Sequence, residues 1–387
     1  MAEVSQGCDP AAIAWETTSA DIAAISPGGS RCSVTGLNTG VSTVSAALES
    51  ASAAVTTMVV DASDLTAGNY DKVRKAVARH EDLMDEDQGD DVIWTMITAS
   101  LVTSGIKEER AKTAVGRVKA AEDDYRGLYV YAFGSYDVAG DATRDGRGSA
   151  ISTSHYNPTD NTVYMTRSTL SGTNYAYVLL HETGHAIDYN VGGNRSLDSL
   201  NNDAYEAIVS DIRSLLGARV VEAADGAGID LAEVNADRVI DAVLDYRELT
   251  QHDLVMSALT ADEQKLYAQL VATVKAEINA TLPKNNGTMV WDAIEGATNF
   301  AISGSYGHAY MFDIPAYQSI ATYYFYDKSG NPMISSEPWA EFFAAGIMGD
   351  SDTIAVNEAY LPETCKYFAE TLLPSALNWF KAKVLAA

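Results

Sequence analysis

The segment Val178-Leu179-Leu180-His181-Glu182-Thr183-Gly184-His185-Ala186-Ile187-Asp188 carries H-E-x-x-H inside an apolar run. The run reads as a buried helix, and four residues are close to one helical turn. His181 and His185 therefore project from one face, where two imidazoles can grip a single metal ion. Glu182 beside them can take a proton from water that the metal activates. Zinc suits this spacing, and peptide-bond hydrolysis is the chemistry it serves. The bland alternative is a core helix that holds two histidines by chance. Against it, only six histidines occur in 387 residues and two of them fall here. Gly192-Gly193 also stops the helix about one turn later.

A zinc site of this kind needs a third protein ligand and an open position. The longer motif H-E-x-x-H-x-x-G-x-x-H is excluded, because Asp188 and Val191 stand where its glycine and third histidine belong. A carboxylate further along is then required. One candidate is Glu206, in Tyr205-Glu206-Ala207-Ile208-Val209-Ser210-Asp211. It echoes the N-E-x-x-S-D helix of thermolysin-like enzymes, with a tyrosine for the asparagine and one residue inserted. A solvated glutamate on an amphipathic helix is the plainer reading of Glu206. The stronger candidate region is Ser335-Ser336-Glu337-Pro338-Trp339-Ala340-Glu341-Phe342-Phe343-Ala344-Ala345. Ser336 can cap a helix there, and its first turn tolerates Pro338. Glu337 and Glu341 then stack four apart among aromatic residues. Two carboxylates on an apolar helix cost free energy unless each has a partner. A metal ion and the free N–H of a ligand histidine supply both partners. Which glutamate takes which partner is left open by the spacing.

The elements that must position these residues divide near residue 125. Residues 1–125 are expected as a helical N-terminal domain serving packing, export or docking. Val41, Val44, Leu48, Ala51, Val55 and Met58 step by three and four, like a heptad seam. Further amphipathic stretches cover about 70–84, 92–102 and 107–124. Residues 126–387 are expected as the catalytic domain. Leu128-Tyr129-Val130-Tyr131-Ala132-Phe133 is aromatic and β-branched, a strand candidate. Asn161-Thr162-Val163-Tyr164-Met165-Thr166 alternates apolar and polar residues, and an extended substrate is expected along Val163–Met165. About 195–285 reads as a helical insertion. Within it Leu266, Leu270, Val274 and Ile278 form a stripe behind a capping box at Thr260-Ala261-Asp262-Glu263. The fold class expected is α+β, predominantly helical, with a small sheet.

Composition bounds the partners. Lys+Arg 26 against Asp+Glu 53 gives a net charge of −27, which repels phosphate backbones and anionic membranes, so no nucleic-acid partner is expected. No apolar run approaches a membrane span. Met1-Ala2-Glu3-Val4 lacks the basic start and apolar core of a signal peptide, so the expectation is export without a cleaved signal, with a cytoplasmic location or a trimmed leader as alternatives. Cys8 and Cys32 could pair, while Cys365 reads as a buried thiol.

Together these residues resemble the anthrax lethal factor-like zinc peptidases, a family that includes secreted Pro-Pro endopeptidases. Its H-E-x-G-H-A-x-D-like helix is matched by His181–Asp188. Its E-x-x-A-E-x-F helix is matched by Glu337–Phe343, and a downstream Pro-x-Thr by Pro362-Glu363-Thr364 before Tyr367-Phe368. The resemblance covers roughly residues 126–387. It implies a zincin-type catalytic domain, a zinc cofactor, Glu337 as third ligand and Glu341 behind a ligand histidine. A register shifted by one turn would exchange the two glutamates. Two departures stand out. The distance of 152 residues from His185 to Glu337 exceeds the family's usual interval, in keeping with an insertion. The family also places a tyrosine shortly before the ligand helix to stabilise the tetrahedral intermediate, where this chain has Gly330 and Asn331. Tyr323, Tyr324 and Tyr326, or Tyr306 and His308 in Gly304-Ser305-Tyr306-Gly307-His308, are the candidates to steady an oxyanion instead.

The expectation is a zinc-dependent endopeptidase, a secreted or exported toxin-like effector that cleaves an extended protein or peptide segment. The alternatives are an inactive zincin used as a binding module and a thermolysin-like peptidase with Glu206 as third ligand.

Overall fold

The computed structural model of the chain describes residues 9–38, 40–48, 51–59, 92–193, 202–244, 256–282, 288–298, 301–302 and 335–386. Five strands occupy its first part: β1 (Ala14–Thr17), β2 (Ala23–Gly28), β3 (Arg31–Gly36), β4 (Gly40–Leu48) and β5 (Ala51–Val59). β1, β4 and β5 form an antiparallel sheet in that order, and β2 pairs with β3. The helical reading of residues 1–125 is therefore corrected over these strands, while the helices expected at about 92–102 and 107–124 are present. The supposed heptad seam from Val41 to Met58 is the β4–β5 hairpin, with Val44 opposite Val55. Valine and threonine lose χ1 freedom in a helix, and serine competes for its backbone, whereas all fit a pleated surface. Ser42, Val44 and Ala46 are buried in alternation, the period of a strand. The expected helix at 70–84 lies outside the described residues.

Helices follow: α1 (Val92–Thr103), α2 (Glu108–Lys119) and α3 (Asp123–Ala132). The strand expected at Leu128–Phe133 is the buried end of α3. Gly127 to Ala132 are all buried, and a helix enclosed on every side shows the same unbroken apolar run as a central strand. Asp123 and Asp124 favour the helix start, and Tyr129 meets Phe133 one turn on, with ring centroids 5.8 Å apart. One hydrophobic core reaches from Ile93 to Val384 and includes all three helices.

A second sheet holds β6 (Asp137–Ala142), β7 (His155–Asn157) and β8 (Thr162–Thr166) in the order β6-β8-β7. β8 runs parallel to β6 and antiparallel to β7, and all five of its residues are buried. Both edges of β8 are thus already paired, so the Val163–Met165 strand cannot receive a substrate by strand addition, contrary to expectation. Among the described residues, β7 pairs with no strand but β8. β8 runs into α4 (Arg167–Ser171), whose start is capped by Thr166 accepting the Thr169 N–H, and then into α5 (Tyr175–Asn190). Gly192, at φ 73°, turns the chain out of α5 in a conformation that glycine tolerates.

The stretch expected as an insertion is helical in α6 (Asn202–Ala227), α7 (Ala236–Val243) and α8 (Ala261–Thr281). The Thr260–Glu263 capping box is present, and Leu266, Leu270, Val274 and Ile278 are fully buried. Glu263 also pairs with Arg238 of α7. After α9 (Thr288–Ala297) come α10 (Ser336–Met348), α11 (Ser351–Tyr360), α12 (Pro362–Tyr367), a π-helical turn at Phe368–Leu372 and α13 (Leu373–Ala386). Asp211 of α6 ties the closing segment down, accepting from the Glu363 and Thr364 N–H groups at 3.2 and 2.9 Å and from Thr364 Oγ1 at 2.7 Å. The described fold is α+β and predominantly helical. Among the described residues, no helix is long and apolar enough to cross a membrane. Cys365 is buried as expected, while Cys8, offered as a partner for Cys32, lies outside the described residues.

α5 and α10 pack closely because Gly184 has no side chain. A Cβ there would stand 2.9 Å from Ala340 Cα, backbone that cannot turn aside. Trp339 Nε1 donates to the Gly184 carbonyl at 3.2 Å across the same crossing. Gly184→Ala is expected to force the helices apart and lower stability by about 1–3 kcal/mol, the usual cost of overpacking. Thermal unfolding measures it, and an unchanged melting temperature would show that the crossing is looser than this.

Candidate metal centre

α5 places His181, Glu182 and His185 at the crossing, and α10 brings Glu337 and Glu341 against them. α10 ends at Gly349, which takes a left-handed φ of 62°. The expected cap is different in detail. Ser336 is the first helical residue, and its hydroxyl faces Nδ1 of His185 at 3.2 Å instead of closing the helix end.

Three ligand atoms converge. Nε2 of His181 and Nε2 of His185 are 3.2 Å apart, and Glu337 Oε2 lies 3.3 Å from each. The two imidazole rings stand at 90° to one another. For tetrahedral zinc with ligand bonds near 2.0–2.2 Å, neighbouring ligand atoms are separated by about 3.3–3.5 Å. The triangle matches that spacing. His185 and Glu337 are buried, and His181 nearly so. Glu341 sits on the other side of the His181 ring, its Oε1 3.3 Å from Nδ1, within ion-pair reach but off the hydrogen-bond line. Tyr177, one turn before His181 on α5, donates its hydroxyl to Glu341 Oε2. The structure thus sets Glu337 at the converging Nε2 atoms and Glu341 behind them.

The partners bear on the tautomers. The carboxylate at Nδ1 of His181 favours a proton on that nitrogen, and the Ser336 hydroxyl at Nδ1 of His185 can accept from a proton there, leaving each Nε2 for the converging face. With both rings neutral in these forms, the Nε2 lone pairs point at each other and at a carboxylate oxygen. Three electron-rich atoms so close in a buried place repel one another unless a proton or a metal cation stands between them. Titration behaviour shows the same demand for positive charge. Burial alone would push the His181 imidazole down, but Glu341 and then Glu337 outweigh it and hold it well above the ordinary histidine range. Glu341 is driven the other way. Burial opposes its charge, yet His181 and the Tyr177 hydroxyl keep its carboxyl below the usual value. Burial and the Glu341 charge push the Tyr177 phenol far up, so it stays protonated and donates.

Glu182 faces the same crossing and is buried. Its Oε2 accepts the backbone N–H of Tyr156, on β7, at 2.8 Å. Burial raises its carboxyl above the ordinary glutamate value and Glu337 adds to the effect, while both histidines and the Tyr156 N–H oppose it. A carboxylate raised in this way is a better proton acceptor near neutral pH.

Of the remaining sequence candidates, only Glu206 is among the described residues. Glu206 is exposed on α6 and lines an open groove with Glu363 and Lys366, away from the histidines. Tyr306 and His308, like Tyr323, Tyr324 and Tyr326, lie outside the described residues. Three contributors escaped the sequence reading: the Tyr177 hydroxyl, the Ser336 contact and the Tyr156 N–H. Tyr177 stands four residues before His181, so helical spacing places it on the same face. The Tyr156 group is backbone and has no signature in residue type.

Fold and centre together define a mostly helical α+β protein with a buried His-His-Glu cluster of ligand type. No protein-family model, no curated protein and no solved structure matches the chain.

Proposed function

We propose that the chain is a zinc-dependent endopeptidase of the lethal factor-like type, with a zincin-type catalytic domain. The observation that carries this reading is the triangle of His181 Nε2, His185 Nε2 and Glu337 Oε2, spaced as tetrahedral zinc requires, with Glu182 beside it. Bound at these three atoms, zinc supplies Lewis acidity, polarising a peptide carbonyl and acidifying water. Glu182 takes the proton from that water and returns it to the leaving amine. The Tyr156 N–H holds one Glu182 oxygen, which aims the other. The substrate is an extended protein or peptide segment. A secreted, toxin-like role belongs to the same proposal and rests on the family resemblance alone.

The purified chain is expected to contain about one zinc ion per molecule, as a three-ligand site binds one metal. It should cleave members of a peptide library, lose that activity to a chelator and regain it with added zinc. A folded chain that takes up no zinc would remove the basis of the reading. A zinc-loaded chain inert toward every peptide would point to binding without catalysis.

A further inference from the structure

The two ligand histidines are supported unequally. Nδ1 of His185 meets an uncharged hydroxyl, that of Ser336. Nδ1 of His181 meets Glu341, and that carboxylate is itself held by Tyr177. Tyr177 and His181 are one turn apart on α5, so both contacts to Glu341 come from a single helix face. α10 delivers the carboxylate between them, with Oε2 toward the phenol and Oε1 toward the imidazole.

We propose that Tyr177 is a positioning residue for the metal: by fixing the Glu341 carboxylate, it sets the His181 ring so that Nε2 faces His185 and Glu337. The inference rests on the metal reading of the site. A terminal carboxylate turns easily, because its last torsion is broad and nearly two-fold. With one oxygen bound, Glu341 can swing about the Nδ1 contact and let the ring tilt. With both bound, carboxylate and ring share one orientation. The phenol suits the task because it is a stiff lever with only two torsions, and its hydroxyl has no second carboxylate oxygen to satisfy at this contact. Nδ1 of His181 lies 3.3 Å from Oε1, so where the carboxylate is held bears directly on the ring. His185 needs no such relay, since Ser336 sits in the first turn of α10 and its hydroxyl moves little relative to the backbone.

Zinc dissociation constants, measured by competition with a chromophoric chelator, test this on wild type, Tyr177→Phe, Glu341→Ala and the double variant. Circular dichroism confirms that each is folded. Tyr177→Phe removes one oxygen and keeps the ring, and it is expected to weaken zinc binding about 10-fold, the lower end for groups that orient a ligand. In the Glu341→Ala background the same change should have almost no effect, because its route to the metal is gone. A merely structural tyrosine would give losses that multiply instead. Tyr177→Phe binding zinc as tightly as wild type, or a double variant with multiplied losses, overturns the proposal while the metal reading stands. Wild type that binds no zinc overturns the metal reading and the proposal with it.

Discussion

Replacing Glu182 with glutamine is expected to leave zinc bound and the chain folded, and to cut peptide cleavage by about 10²–10⁴-fold, the contribution of a positioned general base. Glutamine has nearly the same shape, so the buried space beside α5 is filled as before. Its amide oxygen can still accept the Tyr156 N–H that now reaches Oε2 at 2.8 Å. What it cannot do is take a proton. Glu182 touches none of the three converging atoms as a ligand, so metal content should not follow activity. Cleavage of a fluorogenic peptide selected from the library, measured beside zinc content, checks both halves. A glutamine variant as active as wild type would leave the proton transfer to another group. One that also loses zinc would show that the carboxylate charge helps hold the metal.

The two halves of the fold differed in how readable they were, for physical reasons. The α5 and α8 helices were legible because their apolar positions repeat at helical spacing and their ends carry a Gly-Gly stop and a Thr-Glu capping box. The β4–β5 hairpin misled because valine and alanine at every third or fourth position satisfy a helical seam as well as part of a strand's alternation. Residue type decided it, since serine and threonine between those positions suit a sheet. α3 misled in the opposite sense. Tyr129, Val130 and Tyr131 look like a strand, but burial on all sides removes the polar face that would reveal a helix.

At the centre, spacing located His181, Glu182 and His185 without help from the fold. It also located the Glu337–Glu341 pair, but not which member faces the histidines. That depends on the crossing of α5 and α10, set by Gly184 against Ala340, and no local pattern encodes a crossing between residues so far apart in sequence. The substrate edge failed for a related reason. Strand β8 was identified correctly, yet its place in the middle of the sheet is a property of β6 and β7.

The largest effect on the metal itself is expected at three residues and not at their neighbours. His181→Ala, His185→Ala and Glu337→Ala should each strip most of the zinc, since each removes one of the three converging atoms and leaves a two-ligand remnant. Geometry is what favours Glu337: its Oε2 is 3.3 Å from both Nε2 atoms. Glu341 stands at Nδ1, the far side of the His181 ring, and cannot reach the same point without turning that ring around. Glu341→Ala should therefore weaken binding by about 10–100-fold, as loss of an orienting partner does, without emptying the site. Glu206→Ala should leave zinc untouched, because Glu206 is exposed on α6 in a separate groove. Zinc content after dialysis against a weak chelator, run on all five variants together, separates these outcomes. Loss confined to Glu341→Ala with Glu337→Ala intact would mean that α10 is rotated by one turn relative to α5. Loss at Glu206→Ala would place the third ligand on α6 and restore the thermolysin-like alternative. Three empty variants beside a weakened Glu341→Ala and a full Glu206→Ala would assign the centre to the crossing of α5 and α10.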